Sequence, residues 1–148
     1  MVNNKIKSFT DLNVYQNTYK ASLRVANEIL PKLPSREKFD LSDQLSRSSK
    51  AVPRLIAEGY AKKHQKAGFQ KYLDDALAEC NETIVSLSHC RDIYKLNEEL
   101  CDELINIYDI SARQIYKLAE AWDKFKNSRR SSNQDNNEAH TSGHNQTH

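Results

Sequence analysis

Three cysteines, Cys80, Cys90 and Cys101, and five histidines are the side chains of this sequence best suited to nucleophilic or metal chemistry, and their spacing decides what they can do. His89 and Cys90 are neighbours, and adjacent helical residues point about 100° apart, so they form no nucleophile–base pair. Three residues before His64 and His89 stand Ala61 and Ser86, not the glutamate of a Glu-x-x-His di-iron helix. Haem attachment through Cys-x-x-Cys-His, the His-Glu-x-x-His zinc helix and paired-cysteine zinc spacings are missing too. His140, His144 and His148 recur every fourth residue, but the glycine, serine and threonine around them disfavour the helix that would align them. Gly59, Gly68 and Gly143 are solitary, so no glycine cluster brings backbone donors against a phosphate. The expectation is a non-enzymatic protein without metal or cofactor. The cysteines are odd in number and sit in helical patterns, which favours reduced, buried thiols over a disulfide framework.

Charge is the stronger signal. Between positions 47 and 71, Arg47, Lys50, Arg54, Lys62, Lys63, Lys66 and Lys71 face a single acid, Glu58. Between 72 and 109 the balance reverses, with ten acids against Arg91 and Lys95. Asp43, Arg47, Lys50, Arg54 and Glu58 advance in steps of three and four, which lines them along one exposed helical stripe; their i, i+4 pairs also suit a plain solvated surface. Lys62, Lys63, His64, Lys66 and Lys71 lack such compensation and suit phosphate oxygens. Through Asp123 the chain holds 18 basic and 18 acidic residues, so any polyanion binding must be local.

These residues must be positioned by helices. Three glycines and three prolines are too few for a turn-rich β fold, and four segments carry helical apolar spacing. The first runs from about Leu12 to Leu30, with Leu12, Tyr15, Tyr19, Leu23, Ala26 and Leu30 inward, Asp11 or Thr10 as cap, and Pro31 and Pro34 as stops. The second, from about Leu41 to Lys62, turns Leu41, Leu45, Val52, Leu55, Ile56 and Gly59 inward, with Asp40 or Ser42 as cap. Pro53 should kink it while its direction survives. A third, from about Ala67 to Leu96, aligns Phe69, Leu73, Ala76, Leu77, Cys80, Ile84, Leu87 and Tyr94. Asn97 then caps a fourth, whose stripe of Leu100, Leu104, Ile107, Ile115, Leu118, Trp122 and Phe125 is widened by Cys101, Ile105, Tyr108, Ala112, Tyr116 and Ala119. That surplus width points to a partner subunit at Tyr108, Tyr116 and Trp122; the alternative for the tyrosines is a boundary position with wet hydroxyls.

The reading is an all-α, antiparallel up-down four-helix bundle over residues 11–126, with an N-terminal arm at 1–10. From 127 to 148 the chain is polar, with one alanine as its only apolar residue, and is expected to be a disordered tail. No apolar run approaches the roughly 20 residues of a membrane span, and the N-terminus lacks the apolar stretch of a signal peptide, so a cytoplasmic protein is expected.

The stretch Leu41 to Leu87 carries Ile56-Ala57-Glu58-Gly59, preceded by Leu41-x-x-Gln44-Leu45 and followed by Phe69, Ala76 and Glu82. With Phe9-x-x-Leu12 and Pro34, it resembles the S23 family, proteins encoded in intervening sequences of bacterial 23S ribosomal RNA genes, from about Phe9 to Trp122. Leu55 stands where that family commonly has asparagine, and Ala78-Glu79 where it has Gly-Ser. The resemblance implies an up-down four-helix bundle assembled into a closed ring such as a pentamer. Within Ile56-Ala57-Glu58-Gly59 a structural role is expected, the glycine permitting either close helix approach or a positive φ.

The functional expectation is a homo-oligomeric helical scaffold that engages RNA or a nucleoprotein through the basic residues named above. The alternative is a protein-interaction module without nucleic-acid affinity, and the opposed charges could also join basic to acidic patches of neighbouring subunits.

Overall fold

The computed structural model describes residues 5–65 and 67–141, with side chains through Asp123. Four helices account for most of it: α1 (Asn13–Arg24), α2 (Leu41–Ala61), α3 (Gly68–Tyr94) and α4 (Glu98–Thr141), and no strand occurs among the described residues. The architecture is all-α. The backbone of α4 runs as helix to Thr141. The expected disordered tail at 127–148 and the histidines His140, His144 and His148 fall on residues whose side chains, or whose whole placement, lie outside the description.

α2 forms because apolar residues recur on one face: Leu41, Leu45, Val52, Ile56 and Gly59 are all buried. Pro53 is buried inside a helix that continues through it, as the unbroken apolar phase predicts. The start of α2 is capped differently from expectation. Asp40 makes no side-chain cap; instead Glu37, one turn earlier, accepts the Leu41 amide at 3.1 Å. The same carboxylate accepts a hydrogen bond from the Tyr94 hydroxyl across the fold, tying the loop before α2 to the end of α3. These two hydrogen bonds, Tyr94 foremost, hold the Glu37 carboxyl below its usual range.

α3 buries Phe69, Leu73, Ala76, Cys80 and Leu87, with Leu77, Ile84 and Tyr94 half-buried, as its periodicity predicts. It begins and ends at residues in the left-handed region, Ala67 (φ 57°) and Lys95 (φ 51°), and the Leu96 amide closes back onto the Cys90 carbonyl at 3.3 Å. Asn97 caps α4 as expected, its side-chain oxygen accepting the Leu100 amide at 3.2 Å.

α1 turns a different face to the core than its bulky apolar residues suggest. Tyr19 and Leu23 are 47% and 45% exposed, whereas Val14, Thr18, Ala21, Ser22, Val25 and Ile29 are buried. The hydroxyls on that face are satisfied locally: Thr18 donates to the Val14 carbonyl at 2.7 Å and Ser22 to the Tyr19 carbonyl at 2.6 Å. With their polar atoms bonded, these small side chains allow close packing where tyrosine would not fit. A π-helical turn over Val25–Ile29 then shifts the phase before the chain leaves the helix. Neither Asp11 nor Thr10 caps α1. Ser8 and Asp11 instead form a reciprocal capping box around the short 3-10 turn Phe9–Asp11.

α2 packs along α3, α3 along α4, and α1 against both α2 and α4. Gly59 meets Tyr72 and Phe69 near the end of α2, while the Ser48 and Thr83 hydroxyls, deep in the core, are hydrogen-bonded at 2.9 Å. Between α3 and α4, Phe69 stands edge-on to Trp122 at 5.2 Å, and at the other end Arg91 reaches Asp102 at 2.7 Å. Arg24 joins α1 to α4 through a two-pronged contact with Glu103 at 2.9 and 3.2 Å. Among the described residues, no helix is long and apolar enough to cross a membrane.

Candidate nucleic-acid interface

The element Ile56-Ala57-Glu58-Gly59 closes α2 by bringing it against α3. Ile56 and Gly59 are buried, Ala57 half-buried and Glu58 exposed. A Cβ on Gly59 would lie 2.6 Å from the Tyr72 Cβ and 3.0 Å from the Phe69 Cδ2, so only glycine permits this crossing. Its φ is not positive, which selects close approach from the two roles open to it. Glu58 stands 4.0 Å from Arg54 on the surface.

The crossing sets the position of the α2–α3 turn. Lys62 donates to the Tyr72 hydroxyl at 2.7 Å with its ammonium 5.0 Å from that ring's centre, and the Lys63 ammonium lies 3.8 Å above the ring of Tyr60. Hydrogen bonding to Tyr72 is the main reason the Lys62 pKa is raised, so its charge is secure at neutral pH. Lys71 is exposed at the start of α3, lining a shallow groove with Gln70, Asp74, Asp75 and Ala119. Among the described residues, none of Lys62, Lys63 or Lys71 has a carboxylate within the 4 Å of an ion pair. Lys66 lies outside the described residues.

Arg47, Lys50 and Arg54 are exposed along α2 as their spacing predicts, but the two arginines do not stand free. Arg47 pairs with Asp43 at 3.5 Å and Arg54 with Glu58. Both also line a groove of about 230 Å³ whose opposite wall carries Glu79 and Glu82 of α3. Partial burial and the neighbouring Glu82 raise the Glu79 pKa, while Arg54 and Arg47 pull it back down. Among the described residues of the basic set, the two arginines of α2 are thus paired with acids, whereas Lys50 and the lysines of the turn are in no ion pair. Tyr60, Tyr72, Glu79 and Glu82 were the participants that sequence reasoning missed. Tyr60 stands three residues before Lys63, a helical-neighbour signal, whereas the others depend on how α3 lies against α2.

The proposed oligomer-contact residues separate as well. Tyr108 is fully buried in the chain's own core beside Cys80, which corrects its assignment to a subunit interface or a wet boundary; its hydroxyl has no hydrogen-bond partner among the described residues. The apolar width of α4 at that position serves α3, not a partner. Trp122 is half-buried against Phe69. Tyr116 is 62% exposed, beside a largely apolar groove of about 320 Å³ lined by Leu77, Asn81, Ala112, Arg113 and Lys117.

Burial pushes the Cys80 and Cys90 thiols up to about 12 and raises Cys101, so none is a thiolate at neutral pH. All three are free and buried. Among the described residues, no three histidine, cysteine or carboxylate side chains gather as metal ligands would.

No curated protein and no solved structure matches the chain. A family model described as 23S rRNA-intervening sequence protein matches residues 10–117, a span that begins before α1, covers α2 and α3 entire, and reaches Lys117 in α4. The chain therefore belongs to the 23S rRNA-intervening sequence protein family.

Proposed function

We propose that this protein is a non-enzymatic, homo-oligomeric scaffold, built as an up-down antiparallel four-helix bundle, that engages RNA or a nucleoprotein through the α2–α3 turn. Gly59–Tyr72 and Arg91–Asp102 pair a late residue of one helix with an early residue of the next, and Ser48–Thr83 and Phe69–Trp122 an earlier residue with a later one, as antiparallel neighbours do. The exposed Tyr116 and its apolar groove supply the surface for a neighbouring subunit.

One observation carries the RNA reading: Lys62, Lys63 and Lys71 present charge with no carboxylate partner among the described residues, and two of them lie on tyrosine rings. Cations interleaved with aromatic faces suit a polyanion whose bases can stack. Filter binding of single-stranded RNA across a salt series tests it. Replacing Lys62, Lys63 and Lys71 together by glutamine should weaken binding about 100-fold at 0.1 M salt, following the counterion released per phosphate contact. Absence of RNA binding by the wild-type chain at low salt removes the proposal and leaves a protein-interaction module.

A further inference from the structure

Two tyrosines stand beside the lysines of the turn, and they are held differently. Tyr60, the next-to-last residue of α2, is half-buried with its ring edge-on to Phe69 at 6.0 Å. Phe69, 1% exposed, is braced in turn by Trp122 at 5.2 Å, so packing fixes the plane of the Tyr60 ring. On the face of that ring lies the Lys63 ammonium, 3.8 Å from its centre. A charged ammonium stays at the surface, so the ring face beneath it can be reached from solvent. Tyr72 meets its lysine through the hydroxyl. The Lys62 ammonium donates to the hydroxyl oxygen at 2.7 Å and lies 5.0 Å from the ring centre, while the Tyr72 Cβ packs against Gly59. An oxygen that accepts from an ammonium keeps its own proton to give, so Lys62 and Tyr72 present two donors side by side.

We infer that the α2–α3 turn grips an unpaired nucleotide with the two tyrosines in separate roles: the Tyr60 ring carries the base, and the Tyr72 hydroxyl with the Lys62 ammonium takes the neighbouring phosphate. This deepens the proposed function and rests on it; what it adds is the form of the ligand, an exposed base in place of a duplex. Tyr60 comes from α2 and Tyr72 from α3, and the Gly59 crossing brings both to the same turn. As phosphates draw Lys63 off the ring, its face is uncovered for the base. A cation on an exposed ring is held weakly, whereas a base stacked on an aromatic side chain contributes more and does so for any sequence. Bases inside a duplex are already paired and stacked on one another, so a helix offers the turn its phosphates alone. An acidic peptide would likewise use only the charges and be indifferent to the Tyr60 ring.

The test titrates the full chain with a mixed-sequence single-stranded RNA, an abasic ribose-phosphate strand and an RNA duplex, all of one length, across a salt series. For the wild type on single-stranded RNA, log affinity against log salt should have a slope of about −2, the value for roughly three phosphate contacts. The abasic strand should keep that slope and bind about tenfold more weakly, the loss of one stacked base. The duplex should bind more weakly than the single strand despite its higher charge density. Tyr60→Leu should lower affinity for RNA about tenfold at unchanged slope and erase the preference over the abasic strand, and Tyr60→Phe, which keeps the ring, should restore both. Tyr72→Phe, which keeps the contact with Gly59, should weaken RNA and abasic strand alike, by about fivefold. If the wild type binds the abasic strand as tightly as RNA, or the duplex more tightly than the single strand, the inference is overturned while the lysine turn stands. Because those comparisons use the wild type, they decide the matter even where a variant fails to fold. If polyglutamate displaces the RNA as well as competitor RNA of equal charge does, the ligand is an acidic peptide and the inference is again overturned. If the wild type binds no RNA at low salt, both readings fall together.

Discussion

The two ends of this protein hold similar cations and use them in opposite ways. Where α1 and α3 finish and α4 starts, each arginine is occupied: Arg24 with Glu28 and Glu103, Arg91 with Asp92 and Asp102, and Arg36 over the ring of Tyr94. The hydrogen bonds they donate to those carboxylates raise the Arg24 and Arg91 pKa values further. At the other end, Lys62 and Lys63 rest on tyrosines and Lys71 faces solvent. Arginine's planar fork locks helices together by bidentate pairing, whereas lysine's mobile point charge remains available to a diffusing phosphate. The stripe on α2 is intermediate, basic in sequence yet with its two arginines paired in space.

That contrast breaks if the stripe binds as well as the turn does. Replacing Arg47, Lys50 and Arg54 by glutamine removes the same number of charges as the turn variant. It should change RNA affinity less than about threefold at 0.1 M salt, because two of the three, Arg47 and Arg54, already have carboxylate partners in Asp43 and Glu58. Equal losses from the two triple variants would mean that Asp43, Glu58, Glu79 and Glu82 do not neutralise the stripe. Gly59 offers the next largest effect. In Gly59→Ala the new methyl meets Tyr72 at a distance that neither backbone tolerates, costing about 1–3 kcal/mol in thermal or urea unfolding. Because that crossing seats Lys62 on Tyr72, RNA binding should weaken too. Ile29→Val, a core change near the arginine end, should cost about 0.5–1.5 kcal/mol with RNA affinity unchanged. Equal binding by both variants would detach the turn from the crossing.

How far this was legible in the sequence differs by element. α2 and α3 could be read because their buried positions are apolar at regular spacing, from Leu45 through Val52 and Ile56, and from Phe69 through Leu73, Ala76, Cys80 and Leu87. α1 could not, since its buried face is small and hydroxylated and its bulky tyrosines remain outside; hydroxyls bonded to their own helix carry no sequence signature of burial. The width of α4 was visible, but not which part of it α3 would take, so Tyr108 was assigned to a partner and belongs to the core. For the interface, the run of lysines after Tyr60 announced the turn. The pairs Arg47–Asp43 and Arg54–Glu58 follow from i, i+4 spacing, whereas Glu79 and Glu82 facing these arginines across a groove is a fact of helix register that local spacing does not contain. The junction of α4 with the turn likewise appears only once Trp122 is seen against Phe69.

The smallest effect tests the groove itself. Glu79 is held above its usual pKa, chiefly by partial burial and then by Glu82, with Arg54 and Arg47 acting in the other direction. A carboxyl whose folded pKa exceeds its unfolded one binds its proton more tightly in the native state. Its stabilising contribution is complete below the unfolded pKa and is lost as pH rises through the folded pKa. At neutral pH the ionised Glu79 therefore weighs against folding. Glu79→Gln should be more stable than the wild type there, by no more than about 0.5 kcal/mol for a partly exposed site. That advantage should shrink as pH falls below the ordinary glutamate range, where both states of the wild type are protonated. Melting temperatures of the two proteins from pH 4 to pH 8 measure the difference directly. A variant less stable than wild type at neutral pH would mean that attraction to Arg47 and Arg54 outweighs burial and Glu82. The stripe would then be pinned by its acids even more firmly than the pairing distances imply, and its contrast with the lysine turn would sharpen.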